Sequence, residues 1–399
     1  DFFLENAGIF KFRPNRDLIP FFTRRIGLSR GRLVPILGGV RLTGKVGQYT
    51  LGFFTMQTQE LEETPSTNFS VTRIRRDILV RSEVGGIFIN KQENDGDFNR
   101  TYGLDANLKF GFLDIASFVL KTDSPGIEGH DKAASIGVAY RDRFWEVQGE
   151  HLFIEKDFNP EVGFAPRRGI RKSMGRFGIR PRPGERMPGV REFGPSVAID
   201  YITNEENTLE TRIVDSRFAV LFQDISYFVF SHKAIFERLD EPFFIRSNQS
   251  IPIGDYEFNE FSAFFASDPS RMFGGSASVS WGGFFDGDKN SYSLGFLLQP
   301  GYQFRADLTW SHDDISLPSG DFTTQLVNTR LSYSFTPSAF LNSLIQYNST
   351  RREISTNIRF NFIYKPLSDL FLVYNERRST TGEVRERALI AKVTYVLDF

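Results

Sequence analysis

Along most of the chain, apolar and polar residues alternate with a period of two. Between Tyr302 and Trp310 one set is Tyr302, Phe304, Ala306, Leu308 and Trp310; the other is Gln303, Arg305, Asp307 and Thr309. Tyr102, Leu104, Ala106, Leu108 and Phe110 oppose Gly103, Asp105, Asn107 and Lys109 in the same way. Val327, Thr329, Leu331 and Tyr333 oppose Asn328, Arg330 and Ser332, and Ile354, Ile358, Phe360 and Phe362 oppose Ser355, Asn357, Arg359 and Asn361. Successive side chains of extended backbone point to opposite faces, so this period predicts strands with one apolar and one polar face. Candidate strands run from 18–28 and 33–46, through 224–237 and 302–312, to 367–378 and 385–399. They number about 22, within bounds of roughly 18 to 24. No segment reads as an amphipathic helix of ordinary length.

The connections alternate too. Tight ones fall at Lys45-Val46-Gly47-Gln48, Phe110-Gly111-Phe112, Arg141-Asp142-Arg143, Gln299-Pro300-Gly301 and Thr336-Pro337-Ser338. Longer ones, often acidic, span 59–67, 92–99, 123–131, 157–169, 239–254, 285–289 and 313–321. The 180–190 connection is long for its tight-turn position. Short turns at one end and long loops at the other are what an outer-membrane barrel shows.

Composition sharpens this picture. The chain has 399 residues with 43 Phe, 13 Tyr and 3 Trp, yet no apolar run long enough for a membrane helix. Net charge is −1, which leaves no basic footprint for nucleic acid, and the absence of Cys excludes disulfides and thiolate chemistry. A soluble sandwich also buries one strand face. However, so many hairpin strands exceed what an open twisted sheet carries, and closure removes the edges. Aromatics at strand ends, such as Tyr49, Tyr140, Trp145, Trp281 and Tyr364, fit interfacial girdles. The expected fold is therefore an all-β transmembrane antiparallel up-and-down barrel with short periplasmic turns and longer extracellular loops. Residues 1–17 would be a lead-in segment, periplasmic or in the lumen, and 18–399 a single barrel in the bacterial outer membrane.

A barrel of this many strands has an interior too wide for side chains to fill, so a polar lumen is expected. Candidate lumen-lining residues are Arg73, Arg75, Asp105, Asn107, Arg305, Asp307, Arg330, Asn357, Arg359 and Asn361. Asp105, Asp200, Asp215, Asp307 and Glu376 are available as acidic partners. Residues 225–230 and 370–374 are apolar on both faces, which points to contact with a plug, an infolded loop or a partner. The last strand sets Val393, Tyr395, Leu397 and Phe399 in alternation and ends on an aromatic. This resembles the assembly signal of bacterial outer-membrane barrels.

Longer stretches resemble one group: uncharacterised bacterial outer-membrane barrels that usually follow a carbohydrate-binding-family-nine-like domain. They include Phe2-Phe3-Leu4-Glu5-Asn6, Phe22-Thr23-Arg24-Arg25-Ile26-Gly27 and Pro35-Ile36-Leu37-Gly38-Gly39. Others are Asp157-Phe158-Asn159-Pro160-Glu161-Val162-Gly163-Phe164, Phe236-Glu237-Arg238-Leu239-Asp240 and Asp369-Leu370-Phe371-Leu372-Val373-Tyr374. The resemblance covers nearly the whole chain. It implies a barrel in the outer membrane; the sequence begins where the domain that usually precedes such a barrel would end, and that domain was either cleaved, disordered or cut away, or the protein lacks it.

Catalytic signals are sparse. Ser231 and His232 are neighbours and must face opposite sides of a strand. His312-Asp313-Asp314 is the best candidate for a barrel hydrolase, though an Asp-rich loop beside a His is more often solvated. Asp286-Gly287-Asp288 and Asn94-Asp95-Gly96-Asp97 space oxygens as a Ca²⁺ loop does, but read better as hairpin turns. The expectation is a channel or export conduit without cofactor, metal or covalent chemistry. The alternatives are a plugged barrel serving as anchor or assembly subunit and, more remotely, an outer-membrane hydrolase. Outer-membrane lipids, the barrel-assembly machinery and other outer-membrane or periplasmic proteins are the expected partners, with no nucleic acid.

Overall fold

The alternating segments build one antiparallel sheet of 21 strands among the described residues, and its strand order is that of a closed barrel. The computed structural model describes residues 7–10, 12, 17–29, 31–62, 64–246, 249–366 and 368–395. Sheet neighbours are neighbours in sequence, as hairpin connection requires. The chain divides into two compact units, residues 1–178 with 198–212 and residues 179–197 with 213–399.

In the first unit the strands run from Ile36–Val46, Tyr49–Thr58, Thr67–Leu79 and Ser82–Glu93 through Phe98–Phe110 and Leu113–Asp123 to Lys132–Arg141 and Trp145–Ile154. Their connections sort by parity except at 94–97, expected as a long loop and found as a four-residue turn. Residues 47–48, 80–81, 111–112 and 142–144 are tight, whereas 59–66, 124–131 and 155–169 are long. Inward means, in the first unit, the strand face turned toward residues 7–10, 12 and 17–29 and, in the second, the half-buried face that carries Ser291 and Ser293. On the outward face, Tyr102, Leu104, Ala106, Leu108 and Phe110 follow one another. Rings gather near the tight-turn end, where Phe112 meets Tyr140 and Trp145 meets both Phe144 and Phe177. Phe88 and Tyr102 meet 5.2 Å apart further along. From Phe110 to Tyr102 the apolar run is eight residues, about 26 Å of strand.

Residues 18–28, expected as the first barrel strand, do not join the sheet. Ile19 forms an isolated bridge with Phe164, Thr23–Arg25 is a 3-10 turn that carries the Arg24-Arg25 pair, and Leu28–Ser29 pairs only with Arg32–Leu33. Pro20 lacks the N–H a strand interior needs. Leu18 and Ile26 become buried, and Phe21, of the opposite parity, packs half-buried against the same cluster. They pack against the inward face instead, in a cluster with Phe10, Phe12, Phe54, Phe69, Val71, Phe118 and Leu152. The aromatic excess is thus not all exterior, since part of it builds this core.

In the second unit the strands run from Tyr227–Leu239, Gly254–Ala266, Phe273–Phe284 and Gly287–Leu298 through Phe304–Ser316, Phe322–Thr336 and Ala339–Asn348 to Glu353–Lys365, Ser368–Ser379 and Val384–Thr394. Here the sorting of loops fades. The expected long loop at 285–289 is a two-residue turn at 285–286, while 267–272 is longer than its parity predicts. A two-residue hairpin closes any antiparallel pair, so length persists only where the loop packs onto something. The 239–254 connection does so. It holds a small hairpin, Phe243–Arg246 with Gln249–Ile251, which buries Ile251 against Ile315 and Leu317. Of the C-terminal set, Val393 and Tyr395 are exposed, and Leu397 and Phe399 lie outside the described residues.

Candidate functional site

The inward wall of the first unit is covered by two pieces of chain. One comprises residues 7–10, 12 and 17–29; the other is the 155–169 loop, which folds back between the strands Trp145–Ile154 and Ile170–Ile179. They hold each other through backbone: Ile19 N–H donates to Phe164 O and Phe164 N–H to Ile19 O at 2.8 and 2.7 Å, and Phe22 N–H donates to Val162 O at 2.7 Å. Gly163 sits inside this contact, where any Cβ would collide with the carbonyl oxygens of Ile19 and Pro20. Phe10, Phe21 and Phe54 form an edge-on triangle with ring centres 6.0 to 6.2 Å apart. Such pairs add about 0.5–1.5 kcal/mol each beyond area burial.

Polar inward residues pin the loop. Buried Asn99 donates to Asn159 O at 2.8 Å and accepts from Glu161 N–H at 3.2 Å. Thr122 Oγ1 accepts from Asn159 N–H at 3.1 Å, and Lys91 Nζ lies 2.7 Å from Glu161. Asn99, Thr122 and Lys91 escape sequence reading because nothing in their own strands marks them. Their partner stretch, 157–164, was conspicuous only through the family resemblance. Between plug and wall lies a cavity of about 360 Å³ lined by Arg25, Thr58, Lys91, Glu161 and Arg168.

Deeper on this wall, Arg73 and Asp105 form a two-pronged ion pair at 2.5 and 2.8 Å, with side chains only 1 % and 2 % exposed. They sit on strands either side of Ser82–Glu93 and meet over Gly85, where a Cβ would lie 2.8 Å from Arg73 Nη1 and 3.0 Å from Asp105 Oδ1. Phe12 lids the guanidinium at 5.2 Å. Arg75 and Asn107 both reach Glu83 at 3.3 Å. Four of the sequence-derived lumen candidates therefore gather into two adjacent polar contacts.

The second unit presents a different wall. Along Gly287–Leu298, Tyr292, Leu294 and Phe296 are exposed, while Ser291, Ser293 and Gly295 between them are half-buried, as expected of a concave polar face. In register with them are Ser276, Ser278 and Ser280 on one side and Thr309, Ser311 and Asp313 on the other. Hydroxyls bond across strands at Ser231–Ser262 and Ser293–Ser311, 3.0 and 3.1 Å. Charges come in pairs: Lys233 with Glu260 at 2.5 Å, Lys289 with Asp313 at 3.8 Å, Arg305 with Asp307 at 2.9 Å. Arg330 stands opposite Asp307 in register, and Asn357 donates to Asn375 at 2.5 Å. Arg359 lies over the Phe371 ring at 5.9 Å, which gives that inward aromatic of the doubly apolar 370–374 stretch a partner. Asn361 shares their face and is buried. In 225–230, Tyr227 pairs its ring with Phe264 at 5.4 Å.

Glu376 departs from the expected polar-face set. Its position is on the outward face, opposite Thr356 and Arg387, where Tyr374, Arg378 and Arg387 surround it. The hydrolase candidates are also split. His312 is outward, stacked between Trp310 and Tyr292, while Asp313 is inward and accepts from Ser291 and Thr324. Ser231 and His232 point to opposite faces, as adjacency in a strand dictates. The 94–97 segment is a tight turn in which Asp97 N–H donates to Asp95.

In the second unit, Arg271 ties the 267–272 connection to the 223–226 turn, 3.6 Å from Asp268 and 3.0 Å from Asp224. Hydrogen bonds from the Ser226 hydroxyl and N–H hold Asp224 below the usual carboxylate range, and those from Ser270 do the same for Asp268.

No family model matches the chain, and no curated protein matches it. Among solved structures, that of OpdK from Pseudomonas aeruginosa with vanillate is similar, with a TM-score of 0.42 and 9 % identity, over 87 % of this chain and 97 % of that one.

Proposed function

We propose that the chain is an integral outer-membrane barrel that passes small polar solutes along the hydroxyl-lined wall of its second unit, without covalent chemistry. The observation that carries this reading is the separation of faces. Outward residues are mainly Phe, Tyr, Trp, Leu and Val, with Glu376, Arg378 and Arg387 as a charged cluster toward one strand end, and the inward residues around Gly287–Leu298 are Ser, Thr and paired ions. An outward ion at mid-bilayer costs about 2–4 kcal/mol, which favours this separation in lipid and in no other solvent. Paired charges leave little net field along the wall, so weak ion selectivity follows. The resemblance to barrels that follow a carbohydrate-binding-like domain agrees with this placement, with outer-membrane lipids and the barrel-assembly machinery as partners. Planar-bilayer recordings on the purified barrel test the reading, and a protein that fractionates with membranes yet never conducts overturns it.

The covered wall of the first unit favours a second reading, a plugged barrel serving as anchor or subunit. Stable partners in mild-detergent extracts, together with absent conductance, would select it.

A further inference from the structure

The outward face of the first unit contains a trough that neither the plug nor the polar wall explains. Its volume is about 730 Å³. Strand register places its outward-facing lining in two parallel rows, on either side of Gly85, Asp105, Phe118 and Ser135, whose side chains belong to the other face. Ile74, Gly86, Leu104, Val119, Ala134 and Phe153 pair in series across six strands. The next row is Arg76, Val84, Ala106, Ser117, Ile136 and His151. Small side chains alternate between the rows, so Gly86, Ala106, Ser117 and Ala134 make a floor, and Val84, Leu104, Val119 and Ile136 make the walls. Five strand spacings of about 4.8 Å give a length of about 24 Å.

The two ends differ. His151 closes one, its Nδ1 3.0 Å from Ser173 Oγ. Arg76 stands at the other, beside the Tyr49 ring at 5.4 Å, and no carboxylate among the described residues pairs with it. It lies three residues from the end of Thr67–Leu79, close to the 80–81 tight turn.

We propose that this trough is a phospholipid site: an acyl chain lies along the small-residue floor, and the phosphate is held by Arg76. The proposal rests on the membrane reading above. An unpaired guanidinium at the headgroup level attracts an anionic oxygen, and guanidinium geometry suits phosphate. A floor of small residues lets a chain seat below the surrounding surface, where neighbouring lipids cannot displace it cheaply. The tight-turn end is the periplasmic end in the reading above, so the ligand belongs to the phospholipid leaflet.

The test is native mass spectrometry of the full chain extracted from membranes in mild detergent and washed repeatedly, with retained phospholipid counted per chain. Wild type should keep one phospholipid. Ala106→Leu with Ser117→Leu fills the floor and should reduce retention about tenfold or more. Arg76→Gln should keep a bound chain but lose preference for phosphatidylglycerol over a neutral glycolipid in exchange experiments. Strand circular dichroism and the heat-dependent gel shift of a folded barrel report assembly, and Ala134→Val is a milder filling variant if the double one fails to fold. Unchanged retention in the filled variants overturns the proposal. So does a wild-type dimer that the filled variants abolish, since the occupant is then a second copy. Failure of the membrane reading is distinguishable, because the protein would then be recovered without membranes.

Discussion

Asp105→Ala isolates the strongest polar contact of the plugged wall. Arg73 and Asp105 are 1 % and 2 % exposed, bonded at two points and lidded by Phe12. Removing the carboxylate leaves a guanidinium with no water and no counter-ion. Breaking a buried pair this way costs about 3–5 kcal/mol, against about 0.2–1 kcal/mol for a solvated pair. The two values decide whether this part of the inward wall is dry. Urea unfolding in lipid vesicles, followed by Trp fluorescence, measures the loss. Arg73→Met with Asp105→Leu removes both charges and keeps volume, and should recover most of it. Phe12→Leu should cost part of the cation–π contribution, about 0.5–2 kcal/mol. A loss below about 1 kcal/mol for Asp105→Ala means that water reaches Arg73 and that the plug does not seal this wall.

Gly163→Val should break the backbone contact between the 155–169 loop and Ile19, an overpacking cost of about 1–3 kcal/mol. Protease should then cut residues 7–29 while the barrel survives; uncut protein contradicts the latch. Lys233→Gln leaves Glu260 unpaired on the hydroxyl-lined wall and should shift the reversal potential in a KCl gradient toward cations. An unchanged potential means solutes do not follow that wall. The turn carboxylates Asp224 and Asp268 have lowered folded values, so their contribution is present above the unfolded value, about 3.9, and lost as pH falls through the folded one. Proteolysis at 223–226 and 267–272 should accordingly rise only below about pH 4, and more sharply than in Arg271→Gln.

Alternation by itself determined which segments are strands and which residues share a face. Side-chain direction in a strand is local, so Arg305, Asp307, Arg330 and Arg359 could be grouped, and Ser231 separated from His232, without any tertiary information. What faces the grouped residues was not local. Phe54, Phe69 and Phe118 share the inward face with Arg73 and Asp105, and only residues 7–10, 12 and 17–29 folding back over them make that mixture coherent. Residues 18–28 carry enough apolar side chains to pass for a strand, and only the fold, in which Ile19 bridges to Phe164 and Leu18 and Ile26 pack on the inward face, shows that they leave the sheet. Glu376 and His312 went to the outward face for the reason that Asp105 went inward: each follows the parity of its own strand, and proximity in sequence to other charges has no say in it. The closure of the sheet, the buried ion pair over Gly85 and the outward trough join residues that hydrogen-bonded strands bring together. No period within a single strand encodes them.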